Sequence, residues 1–417
     1  MSPAQTPIRP WLVRAAALAL ALALSACGGG GGGNDLSAPA APVPSAPADT
    51  PTPATSTPPV ADAVNVLPIV LDRGTDQTAI NSPFVTVTVC EPGTQNCRTI
   101  DHILLDTGSV GLRISAAAAA GLSLPALPAN GGGVVAECTS FASGFTWGSV
   151  RTADVRLGGE QANALSVQVM DDPASPFATV PAACSGTGSR LFDGGSKGIL
   201  GVGFSPQDCG RFCADSSAAD VYFSCKTTGC TSVAVPVASQ VAHPVAALPA
   251  DNNGLAIVLP DIPPGGAQGL AGSLVLGVGT RSNNQVGALR VFTADSGGNF
   301  KTTYQGRTST AFIDSGSNGI FFADSTIPLC SSGFYCPRSP LSLSATATGI
   351  NGTSVSVPFT VENSAALPFG TSVARLGGSV VLGSSFDWGL PFFLGRTVFV
   401  AIQGRSTPAG TGPFWAF

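Results

Sequence analysis

Two aspartates in this chain stand in matching phrases. Asp106 closes the run Ile103-Leu104-Leu105 and is followed by Thr107-Gly108-Ser109. Asp314 closes Ala311-Phe312-Ile313 and is followed by Ser315-Gly316-Ser317. An apolar lead-in, an acid, a hydroxyl residue, a glycine and a serine recur in the same order far apart in sequence. That repetition suggests two similar parts, each delivering one carboxyl group to a shared site. Two carboxyl groups in one site do not both ionise easily, so one stays protonated and the other charged. The charged one takes a proton from a water held between them, and the protonated one donates to the carbonyl oxygen of the bond under attack. Water then acts as the nucleophile without metal, serine or cysteine. Gly108 and Gly316 allow a sharp turn and a close approach of the two loops. Ser109 and Ser317 are placed to hydrogen-bond the outer carboxylate oxygens. Thr107 and Ser315 are placed to reach across to the opposite loop.

The elements that must position these residues read as strands. Val64 to Leu71 and Phe84 to Cys90 are apolar or alternating, and Thr99 to Leu105 leads into Asp106 as the second arm of a hairpin. Gly144 to Val150, Val155 to Gly158, Leu165 to Met170 and the glycine-punctuated run Lys197 to Phe204 follow. A second series comprises Leu255 to Leu259, Ser273 to Leu276, Thr310 to Asp314, Leu341 to Thr348, Thr353 to Val361, Val380 to Gly383 and Thr397 to Ile402. Short strands, low charge and 52 glycines point to an all-β class with few short helices. Ala116 to Ala120 reads as one or two helical turns, and Val233 to Leu248 has room for a short helix. A net charge of −5 with no basic tract argues against nucleic acid as a partner.

The first 26 residues carry Arg9 and Arg14, an apolar stretch from Ala15 to Leu24, and small residues before Cys27. This is the pattern of a secretory signal, too short in its apolar part to span a membrane. Leu24-Ser25-Ala26-Cys27 resembles the bacterial lipobox, which implies cleavage before Cys27, lipid on its sulfur and, with Gly28 next, an outer-membrane location on either face. Residues 27–62 are rich in Gly, Ala and Pro and read as a disordered tether. The other ten cysteines form an even set, which in an oxidising compartment implies five disulfides. Spacing suggests Cys90–Cys97, Cys209–Cys213, Cys225–Cys230 and Cys330–Cys336, leaving Cys138–Cys184. The pairing Cys209–Cys230 with Cys213–Cys225 is the alternative. The stretch from Cys209 to Cys230 reads as a surface insertion. Zinc is disfavoured, because no Cys-x-x-Cys pair occurs and the chain has two histidines.

Taken together, these features resemble a pepsin-type aspartic peptidase. Phe141-Ala-Ser-Gly144-Phe-Thr-Trp147-Gly148, followed by Asp154 to Gly159, is similar to that family's flap hairpin and its next strand. Gly198-Ile-Leu-Gly-Val-Gly203 resembles the hydrophobic-glycine element beneath the first aspartate. Val381-Leu-Gly383 with Phe386 resembles its counterpart beneath the second, and Gly272 to Gly277 resembles an early strand of the C-terminal lobe. The chain also resembles an uncharacterised family of bacterial secreted aspartic-peptidase-like lipoproteins. The resemblance implies a bilobal fold with an N-terminal lobe over 63–248 and a C-terminal lobe over 249–417. Between them a cleft would hold Asp106 and Asp314, with the hairpin of Phe141, Gly144 and Trp147 above. It implies cleavage of polypeptide substrates in the cell envelope by a monomer needing no cofactor. Two positions depart from the pattern. Phe141 stands where the family usually has tyrosine, and Arg113 where the tryptophan bonded to that tyrosine would fall, which suggests an Arg113–Phe141 contact in its place.

Two other readings compete. Gly194-Gly195-Ser196-Lys197-Gly198, with His243 downstream, matches a serine-hydrolase elbow, but the strand–elbow–helix context is missing. The second is a catalytically silent pepsin-like surface lipoprotein that binds protein or glycan. His102 reads as a strand residue with a satisfied ring and His243 as a loop residue. Asn351-Gly352-Thr353 reads as a turn.

Overall fold

The computed structural model describes residues 63–185, 195–367, 372–380 and 385–417. The expected signal segment, the lipidated Cys27, the tether and Val381 to Gly383 lie outside the described residues. The fold is all-β, and its longest helical segments among the described residues are Ala182–Ser185 and Arg211–Asp215. The run 116–120 forms hydrogen-bonded turns, and the stretch 233–248 holds two single-turn 3-10 segments, Val237–Ser239 and Val245–Ala247.

The strand carrying Asp106, Cys97–Asp106, belongs to a 15-stranded sheet. It lies between Pro83–Cys90 and Gly198–Val202. From there the order runs through Val110–Ser115, Glu160–Met170 and Gly144–Leu157. Gly144–Leu157 pairs back onto Pro83–Cys90, so six strands close into a ring. Closure removes free edges and fills the interior with one side-chain set from each strand. Val87, Leu105, Leu112, Val155, Val167 and Leu200 are all fully buried. On the other flank Val66–Leu71 hydrogen-bonds all along Leu270–Leu276, carrying the same sheet into the C-terminal part of the chain.

The strand leading to Asp314, Arg307–Ile313, belongs to a separate seven-stranded sheet. Yet the arrangement around each aspartate is the same. Gly198–Val202 runs parallel to the strand entering Asp106 and antiparallel to the strand leaving it, Val110–Ser115. Phe386–Trp388 runs parallel to Arg307–Ile313 and antiparallel to Ile320–Phe321. Each acidic turn is therefore spanned by a strand from much later in the sequence. The strand beside Asp314 is Phe386–Trp388, followed by Gly389. Of the expected second element, Phe386 lies in this strand and Val381 to Gly383 lie outside the described residues. A Cβ at Gly201 would lie 2.6 Å from the Val110 nitrogen, and one at Gly389 would lie 2.0 Å from the Gly319 oxygen, so neither turn tolerates a side chain there.

The five expected disulfides are those present, and the crossed alternative within 209–230 is not formed. The Cys209 to Cys230 stretch is more than a surface insertion. Tyr222–Lys226 joins the sheet beside Val134–Phe141, and Cys213, Tyr222, Phe223 and Cys225 are buried.

Candidate active site

The two acidic turns meet. Thr107 Oγ1 donates to the Ile313 carbonyl at 2.9 Å and accepts the Ser315 amide at 2.9 Å. In mirror fashion, Ser315 Oγ donates to the Leu105 carbonyl at 2.7 Å and accepts the Thr107 amide at 3.1 Å. All four bonds are buried, so each hydroxyl supplies partners that no solvent could replace. Losing one side chain leaves an orphaned carbonyl and an orphaned amide, at about 1–3 kcal/mol each.

This lock sets the carboxyls against each other. A Cβ on Gly108 would sit 2.8 Å from Asp314 Cγ, and one on Gly316 would sit 2.7 Å from Asp106 Oδ1, so any side chain at either glycine would displace the opposite acid. Each aspartate is held from its own turn. The Gly108 and Gly316 amides donate to the Oδ1 atoms of Asp106 and Asp314, both at 2.8 Å. Ser109 donates to Asp106 Oδ2, and Ser317 to Asp314 Oδ2 at 2.8 Å. Asp106 is 5% exposed. Burial first, then the charge of Asp314 and the hydrogen bond between the two carboxyls, push Asp106 up to about 8. The two carboxyls therefore share one proton at neutral pH.

Residues 61–417 match a family model described as "Protein of unknown function (DUF3443)". The chain belongs to that family. No curated protein matches it. Among solved structures it is similar to the crystal structure of an aspartic proteinase from Irpex lacteus, at 16% identity over 85% of this chain and 96% of that one, with a TM-score of 0.47.

In this DUF3443 chain the hairpin Val134–Phe141/Gly144–Leu157 turns at Phe141 and Gly144, which pair directly. Trp147 does not face outward from it. It is fully buried, donates from Nε1 to the Phe177 carbonyl at 2.8 Å, and packs edge-on against Phe223. The Arg113 guanidinium lies 6.0 Å from the centre of the Phe141 ring, the expected contact. Arg113 is itself fully buried. It donates to Glu137 at 2.7 Å, to Asp208 at 3.4 Å, to Thr139 at 3.2 Å and to the Val110 carbonyl at 2.7 Å. Burial alone would raise Glu137, but the Arg113 charge and hydrogen bonds hold it below the usual carboxylate range. Burial and then the Glu137 charge drive Asp208 far above that range, so Asp208 is neutral. The Tyr222 hydroxyl donates to Asp208 at 2.6 Å. This network ties the outgoing strand of the first turn to the base of the hairpin.

Two further residues escaped the sequence reading. Asn81, with φ of 52° and buried, donates to the Asn318 and Val373 carbonyls at 2.7 and 2.8 Å and accepts the Val373 amide at 2.7 Å. It fastens the segment before Pro83–Cys90 to the turn after Ser317. Asp387, on the strand beside Asp314, is a third buried carboxyl within reach of the pair. The serine-hydrolase arrangement does not form. His243 is fully buried, with Nε2 on the Gly203 carbonyl and Nδ1 accepting the Val245 amide, so its ring has no free nitrogen for Ser196. His102 is satisfied by Asp72 and Asp101, each at 3.1 Å.

Proposed function

We propose that the protein is an aspartic-type peptidase that hydrolyses peptide bonds with Asp106 and Asp314. The observation that carries this reading is the close approach of the two carboxyls at the junction of the locked turns, where each glycine faces the opposite acid. Asp314 would take a proton from a bound water. Asp106 would donate to the carbonyl oxygen of the scissile bond, and the proton would pass to the leaving amine as the intermediate collapses. No metal or cofactor enters this scheme. The hairpin tip at Phe141 and Gly144 would cover an extended polypeptide. Anchored through lipid on Cys27, the enzyme would act in the cell envelope, at the outer membrane.

The test is digestion of a mixed peptide library between pH 3 and pH 8. Cleavage should be blocked by a statine-type transition-state mimic and lost in Asp106→Ala and Asp314→Ala. One observation favours a second reading, a silent binder of protein or glycan: Phe141 has no hydroxyl to offer a substrate. No cleavage at any pH together with no binding of the statine mimic would support the binder and end the peptidase proposal.

A further inference from the structure

The carbonyls that follow each acid need partners, and the two turns find them differently. The carbonyl three residues after each acid is treated alike. Ser109 accepts the Gly203 amide at 2.9 Å, and Ser317 accepts the Leu390 amide at 2.7 Å, each from just beyond the intervening strand. The carbonyl four residues after each acid is bonded by a side chain, and here the turns part. Val110 accepts from Arg113 Nη1 at 2.7 Å, three residues further along the same outgoing strand. Asn318 accepts from Asn81 Nδ2 at 2.7 Å, and Asn81 lies 237 positions earlier in the chain. Asn81 stands two residues before Pro83–Cys90, which pairs with the strand carrying Asp106. Its side chain also grips Val373, donating to the carbonyl at 2.8 Å and accepting the amide at 2.7 Å. Val373 comes just ahead of Gly377–Gly378, which runs beside the strand leaving Asp314. Asn81 is 2% exposed, so water cannot take over these bonds. Its φ of 52° lies in the left-handed region, which asparagine tolerates better than most residues.

We propose that Asn81 is a positioning residue for Asp314, a strut from the first repeat that fixes the second acidic turn relative to Asp106. The lock of Thr107 and Ser315 joins the turns at one place, immediately after each acid. A turn held at one place can still pivot there. Asn81 adds a second attachment beyond Asp314, and two separated attachments fix an orientation as well as a position. The first turn needs no strut from the second repeat, because Arg113 holds the matching carbonyl from its own strand. Orientation matters here because a displacement of about 1 Å in a reacting group can cost about 10²-fold in rate.

The catalytic meaning of the strut rests on the peptidase reading, but the strut itself is tested without turnover. Asn81→Gly keeps the left-handed backbone at no steric cost and removes all three side-chain bonds. Asn253 supplies a matched control. It donates to the Val278 and Ser406 carbonyls at 3.0 and 3.1 Å and accepts the Val278 amide at 2.7 Å, and none of these residues belongs to either acidic turn. Asn81→Gly and Asn253→Ala, each in the full chain, should both melt below wild type. In Asn81→Gly, amide hydrogen exchange should speed up at least about tenfold at Gly316 and Ser317 and stay within about twofold at Gly108. In Asn253→Ala, both turns should exchange alike. With a cleaved peptide as readout, kcat should fall about 10–100-fold in Asn81→Gly with KM within about twofold, and stay near wild type in Asn253→Ala. Equal acceleration at both turns in Asn81→Gly, or none at the second, overturns the proposal, and so does an active protein whose kcat does not move. Selective acceleration in a protein that cleaves nothing would uphold the strut and reject the peptidase reading instead.

Discussion

The first and second acidic turns share a backbone plan and differ in what backs it. Seven residues after Asp106 comes Arg113, and seven after Asp314 comes Phe321. Arg113 pairs in register with Ile199, and Phe321 with Asp387. The first turn thus has its buried charge on the outgoing strand, neutralised by Glu137 at 2.7 Å and hydrogen-bonded to Asp208. The second has its buried acid on the intervening strand, facing the site. Behind the second turn lies an aromatic cluster, with Phe386 4.4 Å from Trp388 and stacked on Phe322 at 5.3 Å. One turn is held by ion pairs and the other by rings, yet both deliver a carboxyl to the same point. The difference teaches that the symmetry needed for the pair resides in the loops and their cross-bonds, while the supports were free to diverge.

The comparison breaks most violently at the acids. Asp106→Asn and Asp314→Asn should each cut kcat/KM by about 10³-fold or more, since neither can replace the other's role. The Asp106 variant also reports on stability. Its carboxyl titrates near 3.8 when free and at about 8 in the fold, so the fold binds this proton more tightly than the unfolded chain. That contribution is complete below about pH 4 and is lost as pH rises through about 8. Thermal melts of the wild type should therefore decline across this window, and Asp106→Asn should flatten the decline. A residual slope should remain from Glu160, which burial and the neighbouring Asp251 push up to about 7.

The supports come next. Arg113→Met strands two buried acids and should cost about 3–5 kcal/mol in urea unfolding. Phe321→Leu, its counterpart, should cost about 1 kcal/mol. Equal losses would contradict the contrast between ionic and aromatic backing. Thr107→Ala and Ser315→Ala should each cost about 2–3 kcal/mol, and should match each other if the lock is symmetric. The smallest effect belongs to Phe141→Tyr. It should change kcat/KM by less than about threefold, because Arg113 already occupies the place from which a tyrosine hydroxyl would be held. A tenfold gain would mean that the hairpin lacks only that hydroxyl.

Much of this was legible in the sequence because it is written locally. The strands entering Asp106 and Asp314 are apolar and end at turn residues, and the disulfides close short loops whose spacing limits the pairings. The strand beside Asp314 was not legible. Phe386-Asp387-Trp388-Gly389 puts an acid, which strands seldom carry, in a three-residue run before glycine, so it reads as a turn. Its strand character comes from partners more than 60 residues away. Tyr222–Lys226 was hidden by the cysteines around it, which drew the reading towards a solvent-facing excursion. Asn81 carries no local signal either, since an asparagine before Ser-Pro looks like an ordinary loop residue, and only the fold brings it to Val373.

The pairing of Val66–Leu71 with Leu270–Leu276 has a temporal meaning. During synthesis or export the chain emerges from its N-terminus, and this early strand must wait for about two hundred further residues before its partner exists. Until then the six-strand ring can close while one side of its neighbour stays bare. A nascent or truncated chain ending before residue 254 would expose a row of apolar, unpaired backbone, and such an edge invites self-association. In this fold the strand Val66–Leu71 completes its pairing only when Leu270–Leu276 is present.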